Sequence, residues 1–138
     1  MNKSYSILLV DDEQPALDGL LHGIDWNALM IEKVRQANSM EMALKTISRF
    51  PVDLMISDIE MPGGNGLELI RRVRSLYPKI LCIFYTAHPD FSYCQEALKL
   101  KAVDYLIKPL AYPDIEDAIR KALGIVEENK GIFRLPPR

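Results

Sequence analysis

The residues best suited to chemistry in this chain are acids that follow short apolar runs. Asp11, Asp12 and Glu13 come directly after Ile7–Val10, and Asp58 comes directly after Val52–Ser57. Thr86 follows Ile80–Tyr85, and Lys108-Pro109 follows Val103–Ile107. Clustered carboxylates repel, and each raises the pKa of its neighbours unless a cation intervenes. A hard divalent ion resolves that repulsion: Mg²⁺ takes one or two carboxylates and keeps several waters. No spaced cluster of thiols or imidazoles favours zinc or copper. A carboxylate can also be the nucleophile toward a phosphoryl group, giving an aspartyl phosphate. That transfer depends on position and charge neutralisation, so a lysine such as Lys108 and a hydroxyl such as Thr86 suit it.

Each residue has a plainer explanation when taken alone. Acids after a strand cap helices, as Asp12 could here. A threonine at a strand end is usually structural, and Lys-Pro is a common way to start a loop. The joint placement after four different runs is what argues for a site.

The elements that must position these residues follow from hydrophobic periodicity. Three of the runs are nearly continuous in apolar residues, as strands of a parallel sheet covered on both faces are. A fifth, Ile31–Ala37, is interrupted by Glu32, Lys33 and Arg35, which places it at a sheet edge. Between the runs lie helical patterns. Asn38 with Glu41 reads as a capping box ahead of Met40, Ala43, Leu44 and Ile47. Gly66, Leu69, Ile70, Val73 and Leu76 share one face, and Pro78 closes that helix. Pro89 and Pro113 read as first helical residues, with Asp90 and Asp114 in the first turns. Ile115, Ile119, Ala122 and Val126 form the last core stripe. Five strands alternating with five helices predict a doubly wound α/β fold of flavodoxin-like type, strand order 2-1-3-4-5. In such a sheet functional groups gather at the carboxyl ends of the strands, where the order reverses between strands 1 and 3. Asp12 and Asp58 are thereby brought together.

Bulk properties narrow the function classes. The chain has 138 residues, 49% hydrophobic and 26% charged, which fits one folded domain rather than disorder. A net charge of -2 gives no footprint for nucleic acid, so any contact with DNA belongs to a domain outside this chain. The first apolar run is too short for a signal segment or a membrane span. Cys82 lies inside an apolar run and reads as core, and the two cysteines suit a reduced, cytoplasmic protein. Trp26, within the long connection Gly23–Leu29, is expected to plug that loop onto the body. The domain is expected to span residues 1–129, with 130–138 as a linker or tail.

The chain resembles the receiver domains of bacterial two-component response regulators from about Ser6 to Glu127. The resemblance is carried by Leu8-Leu9-Val10-Asp11-Asp12-Glu13, Asp58-Ile59-Glu60-Met61-Pro62-Gly63-Gly64-Asn65-Gly66, Thr86-Ala87 and Val103-Asp104-Tyr105-Leu106-Ile107-Lys108-Pro109. It implies that Asp58 accepts a phosphoryl group from a sensor histidine kinase. It implies that Mg²⁺ is bound by Asp12, by Asp11 through water, by Asp58 and by the backbone carbonyl of Glu60. Thr86 and Tyr105 match the switch pair, Lys108 the salt-bridging lysine, and Pro109 the proline of a cis peptide. A narrower likeness, in Gly23-Ile24-Asp25-Trp26 and Asp90-Phe91-Ser92-Tyr93, is to receivers fused to an AraC-type DNA-binding domain. The implied partners are the kinase and a second receiver, with transcription as the output.

One departure stands out. The family often has glycine where Lys101 stands, and a lysine at positive φ there costs about 1 kcal/mol. Glu60 and His88 are expected to flank the mouth of the site and to modulate loss of the phosphoryl group, pairing across the entrance. Two rivals stay open. One is a Mg²⁺-dependent phosphohydrolase with Asp58 as nucleophile and Glu60 as general acid. The other is a degenerate receiver serving only as an interaction module.

Overall fold

The computed structural model describes residues 4–61 and 65–134, with the backbone alone for 130–134. The strands are β1 (Tyr5–Val10), β2 (Ile31–Ala37), β3 (Leu54–Ser57), β4 (Leu81–Thr86) and β5 (Asp104–Ile107). The helices are α1 (Gln14–Gly23), α2 (Met40–Arg49), α3 (Gly66–Leu76), α4 (Phe91–Lys99) and α5 (Tyr112–Arg134). All strand pairs are parallel, in the order β2-β1-β3-β4-β5. The expected order therefore holds, and β2, with its interrupting charges, is an edge strand.

Alternation along each strand feeds two cores. Ile7, Leu9, Leu54, Ile56 and Ile83 face α1 and α5. Leu8, Val10, Met55, Cys82 and Phe84 face α2, α3 and α4. Leu8 and Leu9 are both fully buried, on opposite faces of the central strand. Each contributes about 1.5–3 kcal/mol by burial, and this is why a run without alternation suits a sheet covered on both sides. The α5 stripe of Ile115, Ile119, Ala122 and Val126 is buried as expected. Trp26 is buried in the α1–α5 core and donates its indole N–H to the Leu21 carbonyl at 3.1 Å, fastening the long connection to α1.

Several local expectations are corrected. Ser39, not Asn38, caps α2: its extended backbone (φ -158°) lets the hydroxyl accept from the Met42 N–H at 3.1 Å. Pro89 lies before α4, whose cap is Asp90, accepting from the Ser92 and Tyr93 N–H groups. Pro113 is the second residue of α5 rather than the first. Leu76 is 64% exposed because it sits in the last turn of α3, clear of the sheet. Helix α5 runs to Arg134, and residues 135–138 lie outside the described residues.

Lys101 has φ 61°, so this lysine does occupy the left-handed region. The turn around it is fastened by Arg74, whose guanidinium donates to the carbonyls of Leu100, Pro78 and Ile80. One side chain thereby ties the end of α3 to the start of β4 and to the α4–β5 turn.

Candidate functional site

The carboxyl ends of β1, β3, β4 and β5 converge, because parallel strands in register end together. Val10 pairs with Ser57, Ser57 with Phe84, and Thr86 with Ile107. The residues just beyond these ends therefore share one edge of the sheet. Asp11 and Asp58 are each 5% exposed and Thr86 is fully buried, the main buried polar groups of the described residues together with Ser57.

Lys108 joins the two buried acids. Its Nζ donates to Asp11 Oδ2 at 2.6 Å and lies 3.4 Å from Asp58 Oδ2. Burial by itself would lower the lysine pKa, but the Asp11 hydrogen bond and the charges of Asp11 and Asp58 outweigh it and hold the pKa above its ordinary value. The ammonium also lies 5.4 Å from the centroid of the Tyr85 ring, a cation–π contact. The remaining oxygens are placed by backbone. Asp58 Oδ1 accepts from the Ile59 N–H at 2.7 Å, and Asp11 Oδ1 from the Glu13 N–H at 3.0 Å. Lys108 is set by its own N–H to the Thr86 carbonyl at 2.8 Å, and the Lys108-Pro109 peptide is cis, as expected.

Thr86 Oγ1 accepts from the His88 N–H at 3.1 Å, a bond that does not use the hydroxyl's own proton. The Tyr105 ring packs edge-on against Phe84, with centroids 6.4 Å apart and an angle of 62°. Its hydroxyl is enclosed without a hydrogen-bond partner of ordinary geometry, and burial raises its pKa.

Asp12 does not cap α1. The cap position is Glu13, which makes no side-chain capping bond, so the plainer explanation for Asp12 fails. Asp12 is exposed instead and, with Asp58 and Glu60, lines an open cleft of about 540 Å³. One carboxylate oxygen from each of Asp11, Asp12 and Glu13 lies within 4.8 Å of the other two. Hard oxygen donors gathered around a cleft fit a cation of the Mg²⁺ or Ca²⁺ type. The stretch Pro62–Gly64 of the acceptor loop lies outside the described residues.

Glu60 and His88 flank the mouth as expected, with His88 Nε2 4.0 Å from Glu60 Oε2. The sequence reading missed the third member: the Tyr93 hydroxyl donates to Glu60 Oε1 at 3.0 Å. Its signal was an aromatic residue in the first turn of the helix that follows Thr86. Asn65 was missed too. It lines the cleft through its position at the cap of α3, where it accepts from the Glu68 N–H at 2.9 Å.

Comparison with known proteins follows the same outline. The family described as "Response regulator receiver domain" matches residues 7–120. An uncharacterized transcriptional regulatory protein, YesN of Bacillus subtilis, is 36% identical over 120 residues, covering 87% of this chain and 33% of that protein. The transcriptional activator protein ExaE of Pseudomonas putida is 35% identical over 120 residues, covering 86% of this chain and 55% of that one. The chain thus spans only a third to about half of these curated relatives. Among solved structures, the receiver domain of AraT from Geobacillus stearothermophilus superposes with a TM-score of 0.84 at 33% identity, covering 91% of this chain and 98% of that one. The two component transcriptional regulator AraC from Clostridium phytofermentans gives 0.79 at 30% identity, covering 92% and 98%.

Proposed function

Because this chain belongs to the family of response regulator receiver domains, we propose that it accepts a phosphoryl group on Asp58 from a sensor histidine kinase. The observation that carries the reading is Lys108, held by Asp11 at 2.6 Å with its Nζ 3.4 Å from the Asp58 carboxylate. A fixed cation beside a nucleophilic carboxylate is what the transfer requires. An Asp58 carboxylate oxygen attacks phosphorus, the bond from phosphorus to the donor's leaving group breaks, and its electron pair departs with that group. Lys108 faces the charge on the phosphoryl oxygens. Thr86, whose own proton is not used by the His88 contact, donates to one of them.

The acidic set fits Mg²⁺, with Asp11, Asp12, Asp58 and the Glu60 carbonyl as the residues that would hold it. Bound there, Mg²⁺ would neutralise charge on the transferring group. Thr86 and Tyr105 form the proposed switch, and the enclosed Tyr105 hydroxyl, without a hydrogen-bond partner of ordinary geometry, would gain one by turning toward water.

Transcriptional control is proposed for the whole protein, since ExaE and YesN carry that description and span more than this chain. DNA contact would come from a domain beyond these residues, of AraC type by likeness to the Clostridium regulator. The proposed partners are the kinase and a second receiver, with a cytoplasmic location and residues 1–129 as the receiver. No described helix is long and apolar enough to cross a membrane. The hydrolase reading is weakened by Glu60, whose carboxylate accepts the Tyr93 hydroxyl at 3.0 Å, a bond that favours its ionised form over the acid.

The test is intact mass after incubation with acetyl phosphate, with Mg²⁺ or with EDTA, on wild type and Asp58→Asn. A metal-dependent single adduct on wild type alone is expected. An equal adduct on Asp58→Asn refutes the site, and no adduct on any protein favours the degenerate module.

A further inference from the structure

We propose that Tyr93 is a positioning residue for the acceptor site. By holding the Glu60 carboxylate it keeps a bar across the mouth of the cleft, slowing access of water and small phosphodonors to Asp58. This rests on the phosphoacceptor reading of Asp58.

Glu60 lies two residues beyond Asp58 on the loop after β3, whereas Tyr93 lies in the first turn of α4. The two loops are otherwise separate walls of the cleft, and both residues line it with Asp58 and His88. The Tyr93–Glu60 bond at 3.0 Å closes the span between them. His88, on the connection between β4 and α4, faces the second carboxylate oxygen at 4.0 Å. A glutamate with one oxygen held by a phenol gives up part of its rotamer freedom. Glu60 is still 45% exposed, so without these partners water would compete for it and the side chain would leave the span. Tyr93 in turn is fixed by the Asp90 cap, which takes its backbone N–H at 3.4 Å and that of Ser92 at 2.8 Å. The bar is therefore set by where α4 stands. Displacing that helix would open the cleft without any change in the residues that perform the transfer.

The test is Tyr93→Phe, which removes one oxygen and keeps the ring. Formation of the acetyl-phosphate adduct and its loss after the donor is removed are followed by intact mass in Mg²⁺, alone and in a Glu60→Ala background. Tyr93→Phe is expected to speed loss about fivefold, the scale a single exposed hydrogen bond can supply, and to speed loading as well. In the Glu60→Ala background it is expected to add nothing. Loss that is unchanged or slower overturns the inference alone. An equally large effect of Tyr93→Phe with Glu60 already removed also overturns it, since Tyr93 would then act by packing. Absence of any adduct on wild type overturns the phosphoacceptor reading and the inference with it.

Discussion

The backbone carbonyl oxygen of Asp58 lies 2.1 Å from the point where a β-carbon on residue 66 would stand. Gly66 therefore lets the start of α3 pack directly on the acceptor loop, and its N–H donates to the Ile59 carbonyl at 2.6 Å. Gly66→Ala sets two effects against each other. Helix propensity favours alanine by about 0.5–1 kcal/mol, but the obstacle is backbone and cannot rotate away. We expect the clash to win, lowering stability by about 1–3 kcal/mol, and the phosphorylation rate to fall as the Asp58 loop shifts. Urea unfolding and adduct kinetics check both. A stabilised Gly66→Ala would show that the loop yields freely.

Removing Lys108 leaves Asp11 and Asp58 buried beside each other without their cation. Lys108→Met is expected to lose about 2 kcal/mol of stability in EDTA and less of it in Mg²⁺, because a bound cation would take over part of the neutralisation. Since the folded-state pKa of Lys108 is raised, its contribution is complete below the ordinary lysine value and is lost only as pH rises past it. The wild-type advantage should therefore be flat from pH 6 to 9. Chemical denaturation with and without Mg²⁺ across that range measures it.

Lys101 bears a strained backbone, with φ 61°. Lys101→Gly is expected to raise stability by about 1 kcal/mol with no change in phosphorylation. A lower melting temperature would mean that the lysine side chain stabilises more than its backbone costs.

Burial pushes the Cys82 thiol up to about 12, with the Arg74 charge opposing the rise. Cys94, half-buried, is expected to be alkylated in the native protein at pH 8, and Cys82 only on unfolding. A raised folded-state pKa contributes stability that is complete below the unfolded value, about 8.5, and is lost as pH climbs toward the folded one. Wild type should therefore lose more stability than Cys82→Val as pH is raised above 9, which paired urea midpoints would reveal.

Much of this molecule was legible in order along the chain. Unbroken apolar runs such as Ile7–Val10 can only be covered on both faces, and charges at Glu32, Lys33 and Arg35 forced β2 to an edge. From that topology the convergence of Asp11, Asp58, Thr86 and Lys108 follows, because parallel strands in register finish at one edge. Local ends were less legible. Asn38 and Ser39 are equally good caps by composition, and only the backbone angles chose the serine.

What the sequence could not decide were contacts between residues far apart in number and ordinary in type. Tyr93 reaches Glu60 across 33 positions, and Arg74 reaches the Leu100 carbonyl across 26. A tyrosine in a helix and an arginine near a helix end carry no periodic signal, since their side chains are long enough to take several partners. Strand order is set by burial, which residue type encodes. The partner of a flexible polar side chain is set by which neighbours the packed core brings within about 3 Å, and only the tertiary structure fixes that.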